Sequence, residues 1–170
     1  MIINKKIINK AQKIRLIATD IDGVWTDSKM YYNNEGSFMK SFSTYDGMAT
    51  SILLKNSFII AMITSEYENI DILKTRAKKL KIDEVYYNEH NKLSRLKYLS
   101  EKYNISLDNI AYIGDDLNDL EALKNVGLSA MPPSSPILDL FKPDIITQNK
   151  GGDGAFRNLA DIILKAQDLI

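Results

Sequence analysis

The chain is expected to fold as an α/β protein: a doubly wound, Rossmann-like parallel sheet with an inserted β-hairpin. Three observations predict this. Short apolar runs of strand length recur along the chain. Amphipathic segments at helical spacing alternate with them. No internal repeat or low-complexity linker interrupts the alternation, so residues 1–170 read as one domain. At 170 residues the chain is long enough to bury a sizeable core.

The first dozen residues set Lys5, Lys6 and Lys10 inside an apolar pattern, lack a signal-peptide core and are assigned no role. Ile14 to Thr19 reads as a buried strand. Lys29 to Phe42 breaks the rhythm: tyrosines and phenylalanines flank a polar turn ending in Gly36, the pattern of a β-hairpin. Its aromatics have no obvious helix to cover them. They are expected to pack against another subunit, the alternative being a hairpin folded onto its own domain. Gly47 to Asn56 spaces Met48, Ile52 and Leu53 as a helix, and Phe58 to Ile63 is a central strand. Ile70 to Leu80 and Asn91 to Tyr103 follow as helices, the latter presenting Leu93, Leu96 and Leu99. Ile110 to Ile113 and Leu128 to Met131 are further central strands, separated by a helix from Asp116 to Asn125. Pro132 and Pro133 stop the last of them. Asp144 to Thr147 is a weaker edge strand, and Gly154 to Leu169 closes the chain as a helix.

Composition excludes several functions. Lys plus Arg number 22 and Asp plus Glu 22, so no net charge draws the chain to nucleic acid or an anionic membrane. There is no cysteine for a disulfide or thiolate metal site, and one histidine, His90, cannot build a multi-histidine zinc centre. No apolar run reaches membrane-spanning length. A soluble cytoplasmic protein is expected.

The chemistry gathers at strand ends. Asp20 and Asp22 follow the first strand, two positions apart and so directed to one side, where open α/β sheets place ligands. Gly23 lets the backbone turn away. Two close carboxylates repel unless one takes a proton or a cation binds them. This suits an aspartate nucleophile beside an acid/base aspartate. Thr64, Ser65 and Glu66 follow the second strand, with a hydroxyl and backbone N–H groups suited to phosphate; taken alone, helix capping is the better account of Thr64. Lys92 opens a helix against the helix dipole. Asp115, Asp116 and Asp119 follow the strand ending at Ile113. Three carboxylates so close, near Asp20 and Asp22, exceed what capping requires and point to a hard cation such as Mg²⁺. Asp46 opens a helix, where a plain N-cap would need no further function. His90 reads as a solvated loop residue.

Together these stretches resemble the four ordered motifs of the haloacid dehalogenase superfamily: Asp20-Ile21-Asp22-Gly23-Val24, Ile63-Thr64, Lys92, and Gly114-Asp115-Asp116-Leu117-Asn118-Asp119. The match runs from Ile14 over nearly the whole chain. After Asp22 there is room for a hairpin but not for a cap domain. This resembles the capless branch that dephosphorylates 2-keto-3-deoxy sugar acids, and the run from Gly151 to Arg157 resembles that branch's C-terminal Gly-Gly-x-Gly-x-x-Arg signature.

The resemblance implies a homotetramer in which a neighbouring subunit completes each active site. It implies Asp20 as nucleophile, Asp22 as acid/base, and Thr64 and Lys92 as phosphoryl-oxygen ligands. Mg²⁺ would be held by Asp20, the Asp22 carbonyl and Asp115. Asp119, with Asp116, would orient Lys92 or metal-bound water. Asp46, Ser65, Glu66, Lys79 and Arg157 would face a small phosphorylated sugar acid. Octulosonate 8-phosphate phosphatases usually carry Thr-Gly-Arg where this chain has Thr64-Ser65-Glu66. Glu66 with Lys79, and Trp25, resemble instead the relatives acting on 2-keto-3-deoxynononate 9-phosphate or N-acylneuraminate 9-phosphate. A nine-carbon ester is therefore the expected substrate, with the octulosonate ester as the alternative. A different class, a non-catalytic tetramerisation module related to sugar-activating synthetases, would release no phosphate; the filled acidic positions argue against it.

Overall fold

The computed structural model describes residues 4–68 and 70–170; Met1 to Ile3 of the lysine-bearing N-terminal stretch lie outside them. The chain begins with α1 (Lys5–Ala11) and β1 (Leu16–Thr19), then the hairpin strands β2 (Tyr31–Asn33) and β3 (Gly36–Met39). Next come α2 (Thr44–Lys55), β4 (Ile59–Ile63), α3 (Asp71–Leu80), β5 (Glu84–Tyr86) and α4 (Lys92–Tyr103). The last part holds β6 (Ile110–Ile113), α5 (Leu120–Asn125), β7 (Leu128–Met131), β8 (Ile145–Ile146) and α6 (Ala155–Ala166).

Six strands form one sheet in the order β5-β4-β1-β6-β7-β8, and every pairing in it is parallel. This is the doubly wound α/β fold that the alternating pattern predicts. The chain leaves β1 towards β4 and β5, then crosses to β6 and β7 on the other side. The order therefore reverses beside β1, where the carboxyl ends of an open sheet part into a crevice. All four residues of β1 are buried, because helices cover both faces. One core cluster holds Trp25, Leu53, Leu73 and Phe156 under α2, α3 and α6. The other holds Leu96, Leu99, Tyr112 and Leu123 under α4 and α5. Each large aliphatic side chain so buried contributes about 1.5–3 kcal/mol before the entropy of ordering is subtracted.

Two elements carry no sequence expectation. In α1, Asn4 caps the helix by accepting from the Ile7 N–H at 3.0 Å, Ala11 is buried, and Lys10 reaches Asp144 at 2.6 Å. In β5, a glutamate interrupts the apolar run. Glu84 is nonetheless nearly buried, its carboxylate satisfied by the Tyr103 hydroxyl at 2.5 Å and by Lys102 and Tyr86. Helix α2 begins three residues before the expected Gly47, with Ser43 as its N-cap. The expected helix from Asp116 divides into a 3₁₀ turn, Leu117–Asp119, and α5.

The hairpin forms its own antiparallel pair. Tyr32 is 61% and Phe38 54% exposed, so these aromatics are not laid against their own domain. Among the described residues, no helix is long and apolar enough to cross a membrane.

Candidate active site

Asp20 leaves the carboxyl end of β1, where its N–H continues the sheet ladder to the Ile113 carbonyl at 2.9 Å. Asp115 leaves the neighbouring β6 two residues after Ile113. The two meet above Gly23, whose φ of +89° is left-handed; a Cβ there would lie 1.8 Å from Asp115 Oδ2. Glycine is thus required both by the turn and by the approach of Asp115. Asp22 lies on the same side, where its Oδ1 accepts from the Thr26 hydroxyl at 3.2 Å.

Lys92, in the first turn of α4, is the buried cation of this group. Its Nζ lies 2.7 Å from Asp20 Oδ1 and 2.6 Å from Asp119 Oδ1. Burial alone would lower its pKa, but the charges of Asp20 and Asp119 raise it on balance, so the ammonium stays charged. Asp119 is fully committed: besides Lys92 it accepts from the Tyr112 hydroxyl and, at 2.9 Å and 3.3 Å, from the N–H groups of Asp115 and Asp116. It anchors the loop and aims the lysine. Asp116 is the N-cap of the 3₁₀ turn, its side chain accepting from the Leu117 N–H.

Oxygens of Asp20, Asp115 and Asp119 lie within 4.8 Å of one another. Burial, then the charge of Asp119, pushes the Asp20 carboxyl up to about 7. Burial, then the charge of Asp20, pushes Asp115 up to about 8. Three clustered carboxylates thus share one ammonium. With Asp119 occupied, Asp20 and Asp115 are the pair left to meet a hard, oxygen-seeking divalent cation, and the donor set fits one. A pH dependence follows. Unfolded, these carboxyls titrate near 3.8; folded, they hold their protons to about 7 and about 8. Across that window the native state binds more protons, so metal-free stability falls as pH rises. A loss of ~2 kcal/mol would lower the melting temperature by about 4–8 °C. Thermal melts from pH 5 to pH 8 are expected to show the decline, with stabilisation by added Mg²⁺ growing over the same range. A flat profile would contradict the carboxylate repulsion.

A cleft of about 370 Å³ is lined by Asp20, Asp22 and Asp115 together with Thr64, Ser65 and Glu66. That volume suits a small ligand. Thr64 does not cap α3, which begins only at Asp71. Its hydroxyl accepts from the Glu66 N–H at 3.0 Å, which shapes the loop after β4. Ser65 Oγ accepts from Asn118 at 3.3 Å, joining that loop to the Asp116 turn. Ser28, Met30 and Tyr67 also border the cleft.

Other expected site residues are not among those lining the cleft. Lys79 is exposed in the last turn of α3. Asp46 is fully buried in the first turn of α2, accepting from the Arg157 backbone N–H at 2.8 Å, and burial pushes its carboxyl up to about 6. The Arg157 side chain pairs with Asp161 at 2.7 Å. Trp25 packs on Phe156 with ring centroids 4.5 Å apart and donates to the Thr19 hydroxyl, so it belongs to the core. His90 is exposed, 3.1 Å from Asn88 Oδ1.

Sequence reasoning misses two members of the site. Tyr112 carried a signal, since a phenol inside a fully buried strand needs a hydrogen-bond partner. Lys40 carried none. It lies 18 positions from Asp22 in the hairpin segment, yet its Nζ meets both Asp22 oxygens at 2.6 Å.

A family model described as haloacid dehalogenase-like hydrolase matches residues 3–157. The 3-deoxy-D-manno-octulosonate 8-phosphate phosphatase KdsC of Escherichia coli K12 is 36% identical over 166 residues, covering 97% of this chain and 87% of that protein. The crystal structure of the Yersinia pestis 3-deoxy-D-manno-octulosonate 8-phosphate phosphatase superposes with a TM-score of 0.92 at 35% identity, covering 97% of this chain and 88% of the other. The Moraxella catarrhalis enzyme, solved with magnesium, phosphate and KDO, gives 0.87 at 35% identity, covering 96% and 92%.

Proposed function

The chain belongs to the haloacid dehalogenase-like hydrolases, and from that membership we propose a cytoplasmic, Mg²⁺-dependent phosphatase that removes phosphate from a 2-keto-3-deoxy sugar acid. The observation that carries this reading is the convergence of Asp20, Asp22 and Asp115 on one cleft at the switch point of the sheet, with the buried Lys92 ammonium set against Asp20. Asp20, Asp115 and the carbonyl of Asp22 would hold Mg²⁺. The bound ion would offset the repulsion between an attacking carboxylate and a phosphate dianion.

The chain's own groups supply the rest. Asp20 forms a bond to phosphorus as the bond to the sugar oxygen breaks, leaving an aspartyl phosphate. Asp22 gives its proton to the departing oxygen, then takes one from the water that hydrolyses the intermediate. Thr64 and the Lys92 ammonium steady the phosphoryl oxygens, while Asp119 and Tyr112 keep Lys92 aimed. Asp46, held against the start of α6, would position Arg157 near the cleft, where a sugar carboxylate would draw its guanidinium from Asp161.

The relatives support the eight-carbon ester, 3-deoxy-manno-octulosonate 8-phosphate, over the nine-carbon ester that Glu66 suggested. The nine-carbon reading keeps one observation in its favour. Glu66 borders the cleft, although its cationic neighbour is Lys40 at 3.7 Å rather than Lys79. A phosphate-release panel decides between them. We expect the octulosonate ester to exceed both nine-carbon esters in kcat/KM by about 10-fold or more, a specificity of ~1.4 kcal/mol, and EDTA to abolish turnover. Faster release from a nine-carbon ester would restore Glu66 as the selector. No release from any ester would favour the non-catalytic module.

We also propose a homotetramer whose neighbouring subunits cover the hairpin and complete each cleft. The exposed Tyr32 and Phe38 support it, and sedimentation showing only monomer at micromolar concentration would remove it.

A further inference from the structure

We propose that Lys40 is a positioning residue for the acid/base carboxylate, holding Asp22 in the orientation from which it serves the leaving oxygen. This rests on the phosphatase reading above. Lys40 directly follows β3, at the foot of the inserted hairpin, and its side chain is only 2% exposed. Burying an ammonium costs hydration and rotamer freedom, so it persists only where carboxylates hold it. Two do. Both Asp22 oxygens lie 2.6 Å from Nζ, and Glu66 Oε2 lies 3.7 Å away.

Asp22 is gripped from a second direction as well. The Thr26 hydroxyl donates to its Oδ1 at 3.2 Å and itself accepts from the Gly23 N–H at 3.3 Å. The carboxylate plane is thereby fixed by the hairpin and by the loop after β1. The Asp22 side chain stays 29% exposed towards the cleft, whereas Lys40 is shielded from it. With its Nζ set against both Asp22 oxygens and Glu66, Lys40 acts through Asp22 and not on the substrate. The contact with Glu66 joins the loop after β4 to the same ammonium, so hairpin, acid/base and cleft wall share one buried charge.

The test uses leaving groups of different need. In the first half-reaction Asp22 enters as the neutral acid, having taken a proton from solvent at its exposed side. Asp20 bonds to phosphorus, the phosphorus–oxygen bond breaks, and the leaving oxygen keeps the electron pair and takes the Asp22 proton, leaving the carboxylate paired with Lys40. A sugar alkoxide needs that proton; p-nitrophenolate, already a stable anion, hardly does. Because kcat/KM covers only the steps up to leaving-group departure, hydrolysis of the aspartyl phosphate does not blur the comparison. In Lys40→Met we expect kcat/KM to fall about 100-fold for the sugar acid phosphate that wild type turns over best, the scale of a misplaced catalytic group. For p-nitrophenyl phosphate the fall should be under about 3-fold. Lys40→Arg should recover most of the wild-type ratio.

Retained p-nitrophenyl phosphate turnover reports that the Asp20 centre has folded, and Lys40→Gln gives the same comparison should Lys40→Met unfold. Equal losses on both esters, or no loss on either, would overturn the positioning role. A wild-type protein inactive on every ester would instead sink the phosphatase reading itself, so the two failures are distinguishable.

Discussion

Asp20→Asn is expected to lower kcat/KM by roughly 10⁶-fold, the scale reached when a covalent nucleophile is removed from an enzyme. The substitution keeps shape and volume, so packing beneath β1 should survive. What changes is the atom that attacks phosphorus, since an amide oxygen is a far weaker nucleophile than a carboxylate. The same substitution removes one of the clustered negative charges whose burial and repulsion push Asp20 to about 7 and Asp115 to about 8. Metal-free Asp20→Asn should therefore melt no lower than wild type at pH 8. Lost activity with retained stability marks a site arranged for function at some cost to folding. A phosphate-release assay paired with thermal melts checks both halves, and activity within about 100-fold of wild type would mean that water attacks phosphorus directly.

Lys92→Met should destabilise the fold by about 3–5 kcal/mol, the cost of leaving buried charge without its partner. Lys92 touches Asp20 and Asp119 at 2.7 and 2.6 Å with its own side chain fully buried. Without the ammonium, those carboxylates can avoid the penalty only by keeping protons. The loss should therefore be large at pH 8 and smaller at pH 5.5, and Mg²⁺ should recover part of it. Turnover should fall about 10²–10³-fold, as when one donor to a developing oxyanion is removed. Denaturant unfolding at both pH values, with and without Mg²⁺, measures this. Equal stability of variant and wild type at pH 8 would show that Lys92 is not the counter-charge of the cluster.

Much of the candidate site was legible in the sequence because its members stand at strand ends. Asp20, Thr64 and Asp115 each follow an apolar run whose length and burial are plain from composition, and parallel pairing then brings those ends together. The place of Lys92 at a helix start was a weak signal, since a single surface lysine is usually just solvated; its two carboxylate partners explain that place. Lys40 was not legible, because nothing local says where a hairpin lysine points; only the return of the hairpin over Asp22 decides that. Lys79 and Arg157 illustrate the converse. The resemblance, not any local pattern, placed them at the cleft; α3 turns Leu73 and Ala77 to the core and leaves Lys79 exposed, while Arg157 pairs with Asp161 one helical turn away. The short strand Glu84–Tyr86 escaped notice because its glutamate is paired with Lys102 and hydrogen-bonded by the Tyr103 hydroxyl, and those partners come from a different element.

The most direct measurement is a crystal structure of the protein grown with Mg²⁺ and beryllium trifluoride, a mimic of the phosphoryl group on a carboxylate. Beryllium should be bonded to an oxygen of Asp20, with Mg²⁺ held by Asp20 and Asp115. A fluoride complex seated on another residue, with the Asp20 carboxylate unmodified, would contradict it.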